Sequence, residues 1–336
     1  MSAKVYDGKV ILNRLSSRIK RDAERLARQH QIEVGLGIIL VTGDQVSMSE
    51  SGKIARTAEQ LGITVKMERV AQRNIARRFF PTLEEYADSP FIQGIFVQLP
   101  LPTEIVPLEE VMKRLPPEKD VAGIHFINRG KSTFNPYEVT HHVYPPECSA
   151  IRIVFKDIKY ELDGGKVALI GSKYTSDQVK MLAGYLFEKG CSVNLLRWEN
   201  FSSSDKESRQ RVLDEDLPTS EGSINPDGEA IISWANQPGW LGGSRIQRGS
   251  TVIDMGYKFA RGKVSGDCDF QSAMSVAGTI TPVPGGARNI VHMMVLQNLI
   301  DMIKRHYEDE ATRTATSGLK RRFKTDQPST TRKLRN

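Results

Sequence analysis

The sequence is poor in cysteine and lacks any long hydrophobic segment. Its 336 residues include only Cys148, Cys191 and Cys268, which are widely spaced and form no CxxC pair. Such spacing supports neither a disulfide framework nor a zinc site and favours a reducing compartment. No apolar run reaches the roughly 18–20 residues that span a bilayer, and no signal-peptide stretch opens the chain. We therefore expect no metal and no membrane attachment, and a cytoplasmic protein, with the mitochondrial matrix as the alternative.

The chain carries no net charge until its last 25 residues. Residues 312–336 contain eight basic side chains and one acid, which account for the whole net charge of +7. Residues 310–336 show no hydrophobic periodicity, so we predict a disordered basic tail. Clustered Lys and Arg around Phe323 suit RNA phosphates or a ribonucleoprotein, with residues 313–335 as the binding segment. A solvated extension and a localisation signal are the alternatives.

Strands and helices alternate twice along the chain. Residues 12–31 have the spacing of an amphipathic helix, and Val34–Val41 is an apolar run typical of a buried parallel strand. Further strands are predicted at Ile63–Met67 and Phe91–Leu99. A helix is predicted at 47–61, between the strands Val34–Val41 and Ile63–Met67. This order predicts an α/β domain built on a parallel sheet.

The alternation restarts after Pro145-Pro146 and predicts a second, Rossmann-like domain. Its predicted strands are 166–171, 192–196, 230–234 and 250–255, with a helix at 177–189 after the first. Residues 199–229 are rich in Ser and Asp and are predicted to form an inserted surface loop, with a binding element as the alternative. An amphipathic helix at 288–308 is expected to return to the first domain.

Three segments form a recognisable set of motifs. They are VQLPLP at 97–102 with PEKDVAG at 117–123, TPVPGG at 281–286, and KVYDGK at 4–9. In this order and at these intervals they resemble the signatures of the bifunctional methylenetetrahydrofolate dehydrogenase/cyclohydrolase family. The resemblance covers most of residues 4–305.

The resemblance implies a fold and a reaction. A folate domain (1–145, completed by helix 288–308) would face a dinucleotide-binding domain (146–287) across a cleft, in a homodimer. The cofactor would be NADP or NAD, and the substrate a tetrahydrofolate derivative. The implied chemistry is oxidation of 5,10-methylenetetrahydrofolate to the methenyl form, followed by hydrolysis to 10-formyltetrahydrofolate.

The family's proton-transfer residues are replaced in this chain. Family members carry a lysine, with a tyrosine one turn earlier, in the pattern SxxYVxxK. Here the tyrosine position is Glu50 and the lysine position is Ile54, which cannot transfer a proton. Lys53 stands one residue early, about 100° around the helix. It is expected to reach the cleft only if Gly52 distorts the turn, and a solvated surface lysine is the alternative.

Two other positions on the folate side are retained and one is lost. Gln98 and Asp120 match the family motif, so with Lys53 they are the candidate catalytic residues. The alternative for Gln98 is a strand-end residue that is retained for the fold and has no catalytic role. Ala122 replaces the aspartate that holds the pterin ring in the family. Unpaired pterin N–H groups would cost about 1–3 kcal/mol each, so folate affinity is expected to fall.

The cofactor side is altered as well. Of the family's GRSxxVGxP loop only the first glycine remains, and Asp177 replaces the second, which places a carboxylate beside a pyrophosphate. Lys173 could offset part of this charge. After the TPVPGG turn the family's VGPMT is lost, with Arg288 at its glycine position. The candidate cofactor-binding residues are Gly171, Ser172, Lys173, Asn236, Pro284 and Gly285.

Two hypotheses follow from this pattern. In the first, the chain is a one-carbon folate enzyme that keeps one activity, supported by Gln98, Asp120 and the TPVPGG turn. In the second, favoured here, the ancestral activity is weakened or lost and the protein serves in binding or structure. The scaffold persists while Glu50, Ile54, Ala122, Asp177 and Arg288 replace functional residues, a selective pattern that favours the second.

Overall fold

A three-stranded parallel sheet organises the first part of the chain. In the computed structural model, which describes residues 2–134, 143–172, 175–198, 229–260 and 263–325, its strand order is β3-β2-β4. The central strand β2 is Gly35–Val41, flanked by β3 (Thr64–Val70) and β4 (Gly94–Val97). Because β2 is buried along almost its whole length, it reads as an uninterrupted apolar run. This confirms the predicted parallel sheet.

Helices cover this sheet on both faces and lead to the second one. They are α1 (Lys9–His30), α2 (Gln45–Gln60), α3 (Ile75–Asp88), α4 (Leu108–Arg114), α5 (Phe126–Phe134) and α6 (Pro146–Asp157), with a 3-10 turn at Gln72–Asn74. The carboxylate of Asp44 caps α2 by accepting the backbone N–H of Ser47 at 2.7 Å. α2 then runs without interruption through Gly52, which fixes the direction of every side chain on its cleft face.

A six-stranded parallel sheet organises the second part. Its order is β1-β11-β8-β7-β5-β6. The strands are β1 (Lys4–Val5), β5 (Lys166–Gly171), β6 (Ser192–Arg197), β7 (Ala230–Trp234), β8 (Thr251–Asp254) and β11 (Thr279–Ile280), with α7 (Ser176–Glu188), a 3-10 turn at Gly243–Arg245 and α8 (Phe270–Met274) between them. β9 (Lys258–Ala260) and β10 (Lys263–Ser265) form a separate antiparallel hairpin. The predicted Rossmann-like domain is confirmed.

The chain's first strand lies in the second sheet. β1 pairs in parallel with β11, and the flanking backbone N–H groups of Lys4 and Tyr6 donate to Gly278 and Ile280 at 2.7 and 2.8 Å. The predicted first domain, 1–145, therefore differs from the structure at its amino end. A strand of two residues carries no hydrophobic pattern that could have revealed this pairing.

The last helix, α9 (Ala287–Thr325), ties the two parts together. It packs against α1, α2, β4 and α6. Its Asn298 side chain donates to the carbonyls of Val121 and Tyr144 at 2.9 and 3.0 Å, so it fixes two loops that border the cleft. None of the described helices has the length and apolar character to cross a membrane.

α9 also extends past the residue where the tail was predicted to begin. The backbone stays helical to Thr325, whereas disorder was predicted from residue 310. The physical reason is that seven of the fifteen residues in 311–325 are Ala, Lys or Arg, which favour a helix. No proline interrupts this stretch, and the next one is Pro328. The end of the tail, 326–336, and nearly all of the predicted inserted loop, 199–228, lie outside the described residues.

Candidate functional site in the cleft

A cavity of about 570 Å³ lies between the two sheets. Its walls come from the carboxyl ends of β4 and β7, the amino-terminal parts of α2, α6, α7 and α9, and the loop after β8. The carboxyl edge of a parallel sheet is where such folds usually bind ligands. The charged side chains that line it are Asp44, Glu50, Arg129, Glu147, Asp177, Lys258 and Arg288.

Glu50 is the centre of a buried ionic cluster. Its carboxylate lies 2.9 Å from Nε2 of His292, 3.3 Å from Nζ of Lys53 and 3.9 Å from Nη2 of Arg288. Burial alone would raise the pKa of this carboxyl group, but the hydrogen bond with His292 and the positive charges lower it to about 2. Glu50 is therefore ionised at neutral pH.

Lys53 completes this cluster from the same helix. Its Nζ donates to the hydroxyl of Tyr257 at 2.7 Å and to Glu50 at 3.3 Å. It does so although α2 is continuous at Gly52, so no local distortion is needed for it to reach Tyr257, which lines the cavity. Desolvation lowers the pKa of Lys53, but these two partners outweigh it and raise the pKa. The ammonium therefore keeps its proton at neutral pH.

Ile54 faces away from this chemistry. Its side chain is 2% exposed and belongs to the main apolar cluster, which also contains residues of α6 and α9. It does not line the cavity. At the position where the family carries a lysine, this chain has a core residue.

Arg288 and Glu147 occupy the floor of the cleft near Glu50. The guanidinium of Arg288 lies 4.8 Å from the ring centroid of Tyr257, and its buried Nε has no hydrogen-bond partner. Within the described part of the chain, no side chain bonds to the half-buried carboxyl of Glu147. Burial raises the pKa of Glu147, and the charge of Arg288 offsets only part of this effect. The surroundings thus lower the pKa of Glu50 and raise the pKa of Glu147.

Gln98 and Ala122 line the cavity, whereas Asp120 does not. The Gln98 amide donates to the Leu99 carbonyl at 2.6 Å and accepts from Ser51 at 2.9 Å, so both ends of its side chain are engaged. Asp120 is fully buried. Burial raises its pKa although it accepts hydrogen bonds, which come from the backbone of Ile124 and His125 and the side chain of Asn128. Asp120 thus shapes the loop after β4 instead of facing a ligand.

The described ends of the loop after β5, Ser172 and Thr175, are hydrogen-bonded to each other and to β7. The Thr175 hydroxyl accepts from the backbone N–H of Ser172 and donates to the Trp234 carbonyl, both at 2.9 Å. A side chain on Gly171 would lie 2.8 Å from Val179, which explains why glycine is kept there. Ser172 is buried, and Lys173 falls outside the described residues. In the first turn of α7, Asp177 forms an ion pair with Arg129 at 2.9 Å.

Asn236, at the position where the family has glycine, adopts a left-handed backbone conformation. Its φ is 58°, in the left-handed region that asparagine tolerates better than most residues. Its side-chain oxygen accepts the backbone N–H of Tyr257 at 3.0 Å. Asn236 lines the cavity and thereby positions the tyrosine that meets Lys53 and Arg288.

Pro284 and Gly285 lie apart from this cavity. Pro284 is exposed and borders a second cavity of about 670 Å³, formed beside the β9-β10 hairpin. Gly285 has a φ of +116°, which requires glycine, and lines neither cavity. Of the predicted cofactor-binding residues that the structure describes, Gly171, Ser172, Asn236, Pro284 and Gly285, only Asn236 lines the cleft cavity. No group of three or more His, Cys, Asp or Glu side chains in the described part of the chain could hold a metal ion.

Several residues of the cleft were missed from the sequence, among them Arg129, Glu147 and Tyr257, and so was His292, which bonds to Glu50. His292 follows Arg288 by four residues in α9 and so shares its helix face. That spacing was a usable signal for a cationic face. Tyr257 lies 204 residues from Lys53, and no local pattern indicates such a contact.

Comparisons with known proteins identify the family. The model of the tetrahydrofolate dehydrogenase/cyclohydrolase catalytic domain matches residues 6–122. The model of the NAD(P)-binding domain of the same family matches residues 220–307. The chain belongs to this family. The bifunctional protein FolD of Macrococcus caseolyticus is 28% identical over 305 residues, covering 91% of this chain and 99% of that protein. FolD of Rhodospirillum rubrum is 28% identical over 311 residues, covering 90% and 98%.

Solved structures of family members share the fold. The FolD methylenetetrahydrofolate dehydrogenase/cyclohydrolase of Campylobacter jejuni has a TM-score of 0.75 at 23% identity, covering 91% of this chain and all of that one. The Trypanosoma brucei enzyme, solved with NADP cofactor and inhibitor, has a TM-score of 0.76 at 23% identity, covering 91% and 99%. At these identities the likeness establishes the two-domain architecture.

Proposed function

We propose that this chain is a folate-family protein that has lost methenyltetrahydrofolate cyclohydrolase activity and whose dehydrogenase activity is weakened or lost. The observation that carries the proposal is the pair of residues on α2. Ile54 is 2% exposed in the core, and Glu50 is fixed by His292, Lys53 and Arg288. The hydrolysis step needs a group that gives and takes a proton near pH 7, and neither position supplies one.

Lys53 does not replace the missing lysine in this proposal. Its partners Tyr257 and Glu50 raise its pKa, so it is a poor base at neutral pH. Ala122 likewise offers a methyl group where the family holds the pterin ring. The surviving-enzyme hypothesis keeps Gln98 in its favour, but both ends of that side chain are already hydrogen-bonded.

Steady-state assays test the proposal. The purified full chain is incubated with 5,10-methenyltetrahydrofolate, and separately with 5,10-methylenetetrahydrofolate plus NADP or NAD, beside a bacterial FolD as positive control. We expect hydrolysis at the rate of buffer alone and little or no NAD(P)H formation. Protein-dependent hydrolysis at a rate comparable to that of the control enzyme would sink the proposal.

A second candidate function concerns the carboxyl-terminal segment. All of the net charge lies in residues 312–336, and α9 carries part of this segment as a helix to Thr325. We propose that residues 313–335 bind RNA phosphates, through counterion release that makes binding strongly salt-dependent. The homodimer implied by the resemblance and the cytoplasmic location expected from the sequence stay predictions.

Two truncations test this candidate. Deleting residues 312–336 removes all eight basic side chains of the segment, whereas deleting 326–336 removes three of them. In gel-shift titrations with single-stranded RNA, we expect the long deletion to abolish binding and the short one to weaken it and reduce its salt dependence. Equal RNA affinity of the full chain and the long deletion would exclude this role.

A further inference from the structure

The amino end of α7 is the place where an anion would be expected to bind in this fold. α7 follows β5 at the carboxyl edge of the second sheet, and Thr175, Asp177 and Gln178 line the cavity. Backbone N–H groups in the first turn of a helix favour negative charge, and Rossmann-like domains place a pyrophosphate there.

The chain supplies its own anion at this point. Asp177 lies in the first turn of α7, and its Oδ2 accepts from Nη1 of Arg129 on α5 at 2.9 Å. The Arg129 side chain is 21% exposed and that of Asp177 is 55% exposed, so the pair stands at the edge of the cavity. Among the described residues that line the cavity, Arg129 carries the one positive group near this helix end. That guanidinium is already bound to a carboxylate.

Two backbone N–H groups in the described part of the preceding loop are also engaged. The backbone N–H of Ser172 donates to Thr175 Oγ1 at 2.9 Å, and the Thr175 N–H donates to the Ser172 carbonyl at 3.0 Å. Two donors that could point toward a bound anion are therefore used within the loop. In the described residues, neither of these two donors is free to bind a pyrophosphate.

We propose that Asp177 is a built-in competitor for the phosphates of a dinucleotide. Its carboxylate lies in the first turn of α7 and holds Arg129, so a phosphate-bearing ligand enters only when this ion pair opens. The pair is an autoinhibitory contact across the cofactor half of the cleft. This inference is independent of the loss of methenyl hydrolysis, which concerns Glu50 and Ile54.

Calorimetric titration of NADP into the full-length protein tests the inference. Asp177→Asn removes the charge and keeps the side-chain size, and Asp177→Gly removes both. We expect either change to lower the Kd for NADP by about tenfold, the factor that follows from removing one neighbouring like charge. In the double variant Arg129→Ala with Asp177→Asn, most of that gain should disappear, because the freed guanidinium would be the phosphate's new partner.

Glu161→Gln is the matched control, because Glu161 is an exposed carboxylate outside the cavity. It should leave the Kd unchanged. The inference is overturned if both Asp177 variants bind NADP no more tightly than the parent chain, or if Glu161→Gln tightens binding as much as they do. A gain that survives Arg129→Ala would likewise contradict the role given to this ion pair.

Discussion

Replacing Glu50 with glutamine lowers the free energy of unfolding by about 2–4 kcal/mol in this account, because it leaves buried cations without their counter-charge. The carboxylate is 8% exposed and faces His292, Arg288 and Lys53. Glutamine keeps the size and one hydrogen bond to His292 but carries no charge. Urea denaturation at pH 7, followed by circular dichroism, measures the loss.

Glu147→Gln is the control for that substitution. Glu147 lies on the same cleft floor, but burial raises its pKa and, in the described part of the chain, no side chain bonds to its carboxyl group. Removing its charge should therefore leave the stability unchanged or raise it slightly. Equal destabilisation by the two substitutions would show that the ionic cluster is not what stabilises the cleft.

The same cluster predicts a direction for acid sensitivity. The pKa of Glu50 falls from 4.5 to about 2 on folding. Its contribution to stability is therefore complete above about pH 4.5 and is lost as the pH falls toward 2. We expect the stability difference between the parent chain and Glu50→Gln to shrink across that window. A difference that stays constant from pH 5 to pH 2.5 would contradict the assigned pKa.

Replacing Ile54 with lysine, the residue type that the family carries there, is expected to destabilise the fold by more than about 3 kcal/mol without restoring hydrolysis. The side chain is 2% exposed within the main apolar cluster. A lysine at this position must either lose its proton or push the core apart to reach water. Thermal and urea denaturation of the purified variant measure the cost.

Ile54→Met is the matched control, since it has a similar length and no charge. Volume-conserving apolar changes usually cost less than about 1.5 kcal/mol, so this variant should remain close to the parent. If the lysine variant were as stable as the methionine variant, residue 54 would be a cleft position after all. The proposal that catalysis was replaced by core packing would then lose its basis.

Sequence patterns located the buried strands well. The predicted strands at 166–171 and 230–234 coincide with β5 and β7, because continuous apolar runs bounded by turns are distinctive in a parallel sheet. β1 escaped prediction because its two residues gain strand geometry only by pairing with β11. The extension of α9 to Thr325 was also missed, since polar residues without periodicity look alike in a helix and in a disordered segment.

For the site, motif spacing indicated which residues had changed but not what replaced their function. The spacing around Ser47 correctly put Glu50 and Ile54 at adjacent turns of one helix. The long-range partners of Glu50 come from α9, 242 residues away at His292, and the long-range partner of Lys53 is Tyr257 in the loop after β8. Such contacts depend on how the two sheets are placed relative to each other, which no local pattern specifies.

Single-turnover hydrolysis is the most direct test of the central claim, that proton transfer to the C1 unit has been lost. The protein is mixed in molar excess with 5,10-methenyltetrahydrofolate at pH 7, and decay of the methenyl absorbance is compared with buffer and with the Lys53→Met variant. We expect the same decay rate with the protein, with buffer alone and with the Lys53→Met variant. Decay that quickens in proportion to protein concentration and returns to the buffer rate in Lys53→Met would contradict it, because Lys53 would then be a working catalytic residue.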